Sequence, residues 1–312
     1  MKIAVIGGGA MGSVWAVFLS RAGHQVTVVD VAPPVVEAIR AQGLKLLRAP
    51  LADAPLEVEA RPGAATTGAG LGRAEVVFFF VKAHHMPGAI ELARPLISEE
   101  TTVVSLQNGW GNADLLAAHF RPEQLVVGVT YHSATVLAPG VVAHPGTGPS
   151  IVGPYLVAGS LARAQQIARL LQEAGLETTA REDVRSEIWK KLILNAATLP
   201  TSALTGLPAG QLAEPGPLLD LVAAVTAEAV TVARALGYQI DYAERFERIC
   251  AVLQGAGAAR SSMLQDVQAR RKTEIEVING AVVRAAEQLG LEVPLNRALV
   301  ALIGGLERSW QL

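Results

Sequence analysis

The chain has 312 residues, of which 17% are charged and 51% hydrophobic, and its formal net charge is −2. This length allows a substantial core and favours two domains, while the balanced charge argues against a nucleic-acid-binding protein. A single cysteine, Cys250, excludes an internal disulfide framework, and no apolar stretch approaches the roughly 18 residues that would predict a membrane-spanning helix.

The first thirty residues combine two apolar strands with a glycine-rich turn. We predict strands over Lys2–Ile6 and Gln25–Val29, and between them GGGAMG (residues 7–12) opens a helix that ends near Arg21. In that context the glycines permit a tight turn and close approach of the backbone to a pyrophosphate, which the helix N-terminus attracts. The predicted dinucleotide-binding residues are Gly7, Gly9, Ala10, Met11 and Gly12.

Asp30 ends the second predicted strand, at the position where a carboxylate can bind the hydroxyls of an adenosine ribose. The following residues, 31–35, contain no Arg or Lys that could neutralise a 2′-phosphate, and Asp30 itself would repel one. These features favour NAD(H) over NADP(H). The alternative is that Asp30 only caps the following turn.

Three further apolar segments predict strands over Val76–Val81, Thr101–Leu106 and Leu125–Thr130, and helical stretches alternate with them. The predicted fold class is therefore α/β, with an N-terminal Rossmann-type doubly wound parallel sheet. Because ligands of such sheets bind at the carboxyl ends of the strands, Lys82 and Asn108 are candidate site residues. Either could instead be a solvated loop residue.

Helical periodicity dominates the second half of the chain. After a helix over Ser160–Ala174 and a short strand over Leu176–Ala180, nearly everything from Arg185 onward is predicted to be helical. Four segments follow the first helix there: Leu218–Leu236, Tyr242–Gln254, Ser261–Leu289 and Leu295–Leu306. We therefore predict a Rossmann domain, 1–182, and an all-helical domain, 183–312, that supplies substrate-binding groups and forms a homodimer.

Two polar sets interrupt the apolar pattern of this helical domain. Lys191 and Asn195 are four residues apart and share one helix face, whereas Lys190 points about 100° away and is expected to face solvent. The other set comprises Ser262 and Glu274, in residues 261–280. Taken alone, Glu274 is more typical of a surface residue paired with a nearby arginine, Arg270 or Arg271.

The positions of the histidines argue against a metal site, and the N-terminal segment argues against secretion. His84 and His85 are adjacent, and the others lack the spacing of metal ligands, so we predict no metal site. The opening segment, with one lysine followed by glycines, does not have the pattern of a secretory signal. The protein is therefore expected to be cytoplasmic, with a small-molecule substrate and neither nucleic acid nor membrane as a partner.

Five segments resemble the ketopantoate reductases (2-dehydropantoate 2-reductases) in order and spacing: MKIAVIGGGAMG, VKAHH, QNGWG, EIWKKLILNAA and SSMLQDVQARRKTEIEVINGAVV. The resemblance covers almost the whole chain, and the last segment is specific to that family. It implies an active site in a cleft between the two domains. It also implies reduction of a 2-oxo acid to a D-2-hydroxy acid, ketopantoate to pantoate in pantothenate and coenzyme A biosynthesis, with NADP(H) as the usual cofactor.

The resemblance also implies roles for individual residues. Lys191 resembles the catalytic lysine, the general acid that protonates the ketone oxygen, where hydride transfer places negative charge. Lys82 and Asn108 resemble the pair that contacts the nicotinamide end of the cofactor, and Asn108 also faces the substrate. The positions that bind the substrate's carboxylate and hydroxyl are matched by Asn195, Ser262 and Glu274.

Three departures from the family pattern favour a different substrate and cofactor. Leu199 and Ala259 stand where the family often has asparagines, and Asp30-Val31 stands where it has a basic residue. A less polar pocket discriminates weakly for a substrate hydroxyl. The main alternative is therefore an NAD-dependent D-2-hydroxy-acid (D-mandelate-like) dehydrogenase for branched or aromatic 2-oxo acids. A non-catalytic dinucleotide-sensing protein, the other alternative, would not need the polar set around Lys191.

Overall fold

A computed structural model describes residues 1–49, 55–156 and 159–311. The chain divides into two compact units, one of Met1–Gln107 with Asn112–Val184, the other of Asn108–Gly111 with Arg185–Leu312. The boundary predicted at residue 182 lies close to this division, but Asn108–Gly111 groups with the second unit although the prediction placed it in the first domain. None of the described helices is both long and apolar enough to cross a membrane.

The strands of the described residues all lie in the first unit. In chain order they are β1 (Lys2–Ile6), β2 (Gln25–Val29), β3 (Leu44–Leu47), β4 (Leu56–Ala60), β5 (Gly63–Ala65), β6 (Val76–Phe79), β7 (Thr102–Ser105), β8 (Leu125–Thr130), β9 (Ser133–Ala138), β10 (Val141–Gly146), β11 (Ser150–Pro154) and β12 (Thr178–Ala180). Among the described residues they form an eight-stranded sheet, β12-β11-β8-β7-β6-β1-β2-β5, and a four-stranded sheet, β4-β3-β10-β9.

The larger sheet is parallel except where β11 pairs antiparallel with β8. The chain crosses from β5 at one edge to β6 beside β1, so the strand order reverses between β1 and β6, where doubly wound sheets bind ligands. Helices cover both faces, and buried Phe78 and Phe79 of β6 belong to the cores on opposite sides. Burial on both faces explains the continuous apolar runs of these strands. The predicted fold class is confirmed.

The smaller sheet was not predicted from the sequence. Its β4 and β9 have the mixed patterns LEVEA and SATVLA, and most residues of β9 are exposed. Its central pairing joins Lys45 of β3 to Val141 of β10, positions far apart in the chain. Short, half-polar strands paired at such distance have no local signal that distinguishes them from loops.

The helices of the first unit are α1 (Ala10–Arg21), α2 (Pro33–Gln42), α3 (Met86–Ala93), α4 (Asn112–Ala117) and α5 (Leu161–Glu173). Those that follow are α6 (Val184–Thr205), α7 (Pro217–Ala235), α8 (Tyr242–Ala256), α9 (Ser262–Gln268), α10 (Asn279–Leu289) and α11 (Pro294–Ser309). The second unit is thus helical, as predicted, and its core includes the fully buried Trp189.

The helix predicted over Ser261–Leu289 is wrong, because the segment breaks into α9, a 3-10 turn at Ile275–Val277, and α10. The break begins at Arg270, whose φ of 49° is left-handed. Around it the Arg270 N–H donates to the Val267 carbonyl (3.0 Å) and the Arg271 N–H to that of Asp266 (2.8 Å). This pair of hydrogen bonds at a helix C-terminus usually has glycine at the left-handed position. Because arginine stands there, the sequence gives no sign that the helix ends.

Candidate active site

The glycine turn, residues 7–12, joins β1 to α1. Gly7 has a φ of 101°, and a Cβ at Gly12 would collide with the Gly7 carbonyl oxygen. A Cβ at Gly9 would meet no atom within 4 Å, and no side chain among the described residues caps α1. The first N–H groups of α1, which include those of Ala10 and Met11, therefore face an open side of the turn. This arrangement fits the pyrophosphate of a dinucleotide.

The Asp30 carboxylate ties the end of β2 to the glycine turn. Its two oxygens accept from the Gly8 N–H (2.7 Å) and the Ala32 N–H (2.9 Å), and each keeps a lone pair for a ribose hydroxyl. Val31, the next residue, is 71% exposed. The Arg40 Nε of α2 donates to the Ala64 carbonyl (2.9 Å). Asp30 thus does more than cap the turn that follows β2, because it also fixes the glycine turn.

Gln107 connects the carboxyl ends of β6 and β7. Its Nε2 donates to the Val81 carbonyl (2.5 Å) and lies 3.1 Å from the Met86 sulfur, and its Oε1 accepts from the Ser105 hydroxyl (2.9 Å). The half-buried Lys82 follows Val81 directly, so Gln107 fixes the backbone that carries it. Sequence reasoning missed Gln107, although it stands beside Asn108 in the QNGWG segment.

The half-buried Asn108 begins a four-residue loop, Asn108–Gly111, of the second unit. Gly109 has a φ of 87°, and a Cβ there would collide with the Val277 carbonyl, to which the Trp110 N–H donates (2.8 Å). The Trp110 ring lies 5.6 Å from that of Trp189, centroid to centroid. The loop is therefore held by its backbone against the 3-10 turn that follows Glu274.

Lys191, Asn195 and Glu274 form what we term the lysine site. Lys191 and Asn195 lie one turn apart on α6, and Asn195 is buried. Burial lowers the pKa of the Lys191 ammonium to about 8, while the negative charge of Glu274 raises it. The structure thus brings Lys191 and Glu274 within electrostatic reach. The Arg271 guanidinium lies 3.4 Å from the Asp266 carboxylate, so Asp266 is its partner.

Lys190, which was expected to face solvent, is partly exposed and has an acidic neighbour. Its ammonium lies 3.1 Å from the Glu187 carboxylate, and its side chain is 31% exposed. The pair is one turn apart on α6, which accounts for the contact.

Ser262 is exposed at the start of α9. The cap of that helix is the preceding Ser261, whose hydroxyl accepts from the Leu264 N–H (3.2 Å) and donates to the Ser202 hydroxyl of α6 (3.2 Å). Ser261 therefore links α9 to the helix that carries Lys191, and it leaves Ser262 open to solvent. Sequence reasoning missed Ser261 because adjacent serines are indistinguishable without the helix boundary.

The two apolar departures occupy different settings. Leu199 is half-buried one turn beyond Asn195 and packs against the helical core. Ala259 is exposed, and its carbonyl accepts from the Ala209 N–H (3.0 Å). Leu199 therefore continues the helix face of the lysine site with an apolar surface.

Two histidines that are separated in the sequence meet in the structure. His132 Nδ1 lies 2.9 Å from His144 Nε2, and His144 Nδ1 lies 3.1 Å from a carboxylate oxygen of Glu57. Burial, and then the neighbouring His144, lowers the pKa of His132 to about 4. The hairpin of β9 and β10, which the sequence did not predict, creates this contact. Within the described ranges no three His, Cys, Asp or Glu side chains are grouped to hold a metal ion.

Known proteins resemble this chain along nearly its whole length. Residues 3–156 match a family model described as ketopantoate reductase PanE/ApbA, and residues 183–307 match the model of its C-terminal part. A 2-dehydropantoate 2-reductase of Archaeoglobus fulgidus is 30% identical over 309 residues, 98% of each chain. Both halves of the sequence thus point to the same family.

Solved structures of similar proteins cover the whole chain as well. A D-mandelate dehydrogenase in complex with NADH and anilino(oxo)acetate has a TM-score of 0.94 at 26% identity, with 100% of both chains covered. A PanE/ApbA family ketopantoate reductase from Ralstonia eutropha has a TM-score of 0.87 at 32% identity, again with 100% of both chains covered.

Proposed function

The chain belongs to the ketopantoate reductase family, and we propose that it reduces a 2-oxo acid to a D-2-hydroxy acid with NAD(P)H, ketopantoate being the first substrate to test. The observation that carries this proposal is the half-buried Lys191, whose ammonium has its pKa lowered to about 8 by burial while the charge of Glu274 opposes that shift. A buried charge is costly, and a structural role does not explain why one lysine of an adjacent pair should carry that cost.

In this proposal Lys191 is the general acid. The glycine turn, Asp30, Lys82 and Asn108 would hold NAD(P)H, which would supply the hydride to the ketone carbon. At neutral pH the Lys191 ammonium is protonated and donates its proton to the ketone oxygen as negative charge develops there. Glu274 holds the ammonium in the protonated form, since its carboxylate opposes the effect of burial. Asn195 and Ser262 donate hydrogen bonds to the substrate's carboxylate and hydroxyl.

For the cofactor, we propose a preference for NADH. Support comes from the Asp30 carboxylate at the end of β2 and from Val31, which places no positive charge after it. The test compares kcat/KM for both cofactors in the wild type and in the double variant Asp30→Asn/Val31→Arg. We expect the NADPH-to-NADH ratio to rise about tenfold or more, because the change replaces a repulsive charge with a cation for the 2′-phosphate. Preference for NADPH in the wild type would contradict the proposal.

A second candidate substrate is a branched or aromatic 2-oxo acid. Leu199 favours it, because an apolar side chain one turn beyond Asn195 suits an apolar substituent better than the hydroxyl of ketopantoate. The similarity to a D-mandelate dehydrogenase bound to anilino(oxo)acetate also supports it.

A panel of substrates separates the two candidates. The kcat/KM values of ketopantoate, 2-oxoisovalerate and benzoylformate are measured with the wild type and with Leu199→Asn. If ketopantoate is the substrate, its kcat/KM is higher than that of the other two acids already in the wild type. If the second candidate is correct, benzoylformate or 2-oxoisovalerate is preferred and Leu199→Asn moves the preference toward ketopantoate. Absence of turnover with all three acids and both cofactors would favour a dinucleotide-sensing protein.

We also propose that the protein acts as a homodimer. The support is that three leucines of the helical unit, Leu236, Leu289 and Leu302, are exposed. Light scattering of the purified protein gives the molar mass in solution. A mass of one chain at micromolar concentration would contradict the proposal.

A further inference from the structure

Proline interrupts the hydrogen-bond ladder of α6 beside the lysine site. Pro200 lies inside α6, and in a regular helix the N–H of residue 200 would donate to the carbonyl of Ala196. Proline has no N–H, and its ring crowds that same carbonyl. The missing hydrogen bond therefore falls in the turn that joins Asn195 to Leu199, the polar and apolar residues on the helix face of the lysine site.

A side chain from another helix supplies the missing donor. The Nδ2 of Asn279, at the start of α10, donates to the Ala196 carbonyl at 2.9 Å. Its second N–H donates to the Oδ1 of Asn296 in α11 at 3.0 Å. Both asparagines are fully buried, and both hydrogens of the Asn279 amide are therefore used inside the core. A buried carbonyl without a donor is costly, so this contact compensates directly for the proline.

The orientation of these amides is fixed by a carboxylate. Glu228 of α7 accepts from the Asn296 Nδ2 (2.8 Å) and from the backbone N–H groups of Leu295 (2.9 Å) and Asn296 (3.0 Å). Because an ionised carboxylate only accepts, Asn296 turns its amide nitrogen toward Glu228 and its oxygen toward Asn279. Asn279 must then present its nitrogen. The hydrogen bonds of this amide chain, Glu228–Asn296–Asn279, can therefore be oriented in one way only, and the last of them is donated to α6.

We propose that Asn279 is a positioning residue for catalysis, which holds the proline break of α6 and thereby places Lys191 and Asn195 relative to Leu199. The proposal rests on the proposed function, because it takes Lys191 of α6 to be the catalytic lysine. Without the hydrogen bond from Asn279, the Ala196 carbonyl would turn toward water or another donor, and the backbone of α6 would shift between Asn195 and Leu199. Lys191 would then lose part of its burial, and its pKa would rise toward the value of a free lysine.

A double-mutant cycle tests this assignment. The wild type, Asn279→Ala, Pro200→Ala and the double variant are compared in thermal unfolding and in the pH dependence of kcat. In the proline background we expect Asn279→Ala to lower Tm by about 5 °C, to lower kcat/KM about tenfold and to shift the kcat–pH midpoint upward. Pro200→Ala restores an N–H to residue 200, so in that background Asn279→Ala should cost no more than about threefold in kcat/KM.

A matched control separates positioning from general stability. The buried Thr226 hydroxyl of α7 donates to the Val222 carbonyl (2.7 Å), in a stretch of helix without proline. We expect Thr226→Val to lower Tm without moving the pH profile and without any coupling to Pro200→Ala. Equal losses from Asn279→Ala in both backgrounds, or a lower Tm with an unchanged pH midpoint, would overturn the proposal.

Two further outcomes are informative. If Asn279→Ala alone does not fold, recovery of folded protein in the double variant supports the proposal, and failure of both contradicts it. If the wild type reduces no 2-oxo acid, the proposed function fails. The coupling between Asn279 and Pro200 in Tm would still show whether the amide chain anchors α6.

Discussion

We propose that the glycine turn and the lysine site bind their ligands by different physical means. The glycine turn is contiguous, residues 7–12, and it works through its backbone, which must adopt a positive φ at Gly7 and leave open space at Gly9. The lysine site uses side chains from α6 and from the break between α9 and α10, and it buries an ammonium. The glycine turn depends on positions without a Cβ atom, and the lysine site depends on a buried charge that lowers stability.

The largest expected effect is at the lysine site. We expect Lys191→Met to lower kcat by about 100- to 10,000-fold, since it removes the proposed general acid, while the dissociation constant for the cofactor is unchanged. The same variant should be more stable than the wild type. The folded-state pKa of about 8 lies below the 10.5 of an unfolded lysine, so burial of the charge lowers stability fully below pH 8 and not at all above pH 10.5.

Denaturant unfolding at pH 7 measures the increase in the free energy of unfolding of Lys191→Met, which we expect to be about 1–3 kcal/mol. Lys190→Met serves as the control, because the Glu187 pair of this neighbouring lysine is part-exposed and contributes little. Both activity and stability should change less in Lys190→Met than in Lys191→Met. Turnover of Lys191→Met within tenfold of the wild type would rule out the lysine as the acid.

The glycine turn should respond to the addition of a methyl group according to position. At Gly12 a Cβ would collide with the Gly7 carbonyl oxygen, so we expect Gly12→Ala to lose several kcal/mol of stability or to fail to fold. Gly9→Ala has room for its Cβ, so its Tm should match the wild type. Its affinity for NADH, measured by fluorescence titration, should fall about tenfold or more, because the methyl occupies the approach of the pyrophosphate. Unchanged NADH affinity in Gly9→Ala would place the pyrophosphate elsewhere.

The pH dependence of the lysine site gives a smaller, graded effect. Because the proposed mechanism requires a protonated Lys191, kcat for reduction should be constant below pH 8 and fall about tenfold per pH unit above it. The Glu274 carboxylate raises the pKa of Lys191, so we expect Glu274→Gln to shift the midpoint to lower pH. Initial rates between pH 6 and 10 at saturating substrate test both points. An upward shift in Glu274→Gln would mean that Glu274 does not stabilise the ammonium.

The contrast between the two sites also explains what the sequence could predict. The glycine turn, β1, α1 and β2 were predicted because each depends on residues a few positions apart. The i, i+4 relation of Lys191 and Asn195 is equally local. The contacts that complete the second unit are not local: Asn279 reaches Ala196, and Trp110 reaches Val277. No spacing rule relates such pairs, because helix packing brings them together.

The smallest expected effect concerns the break before Glu274. Arg270 adopts a left-handed φ of 49°, which costs a residue with a Cβ roughly 1 kcal/mol relative to glycine. We therefore expect Arg270→Gly to raise Tm by about 2–4 °C. Because the hydrogen bonds of Arg270 and Arg271 to the end of α9 are backbone bonds, the turn should keep its geometry. Glu274 should then act on Lys191 as before, and the kcat–pH midpoint should not move. A shifted midpoint would show that the arginine side chain itself contributes to the electrostatics of the lysine site.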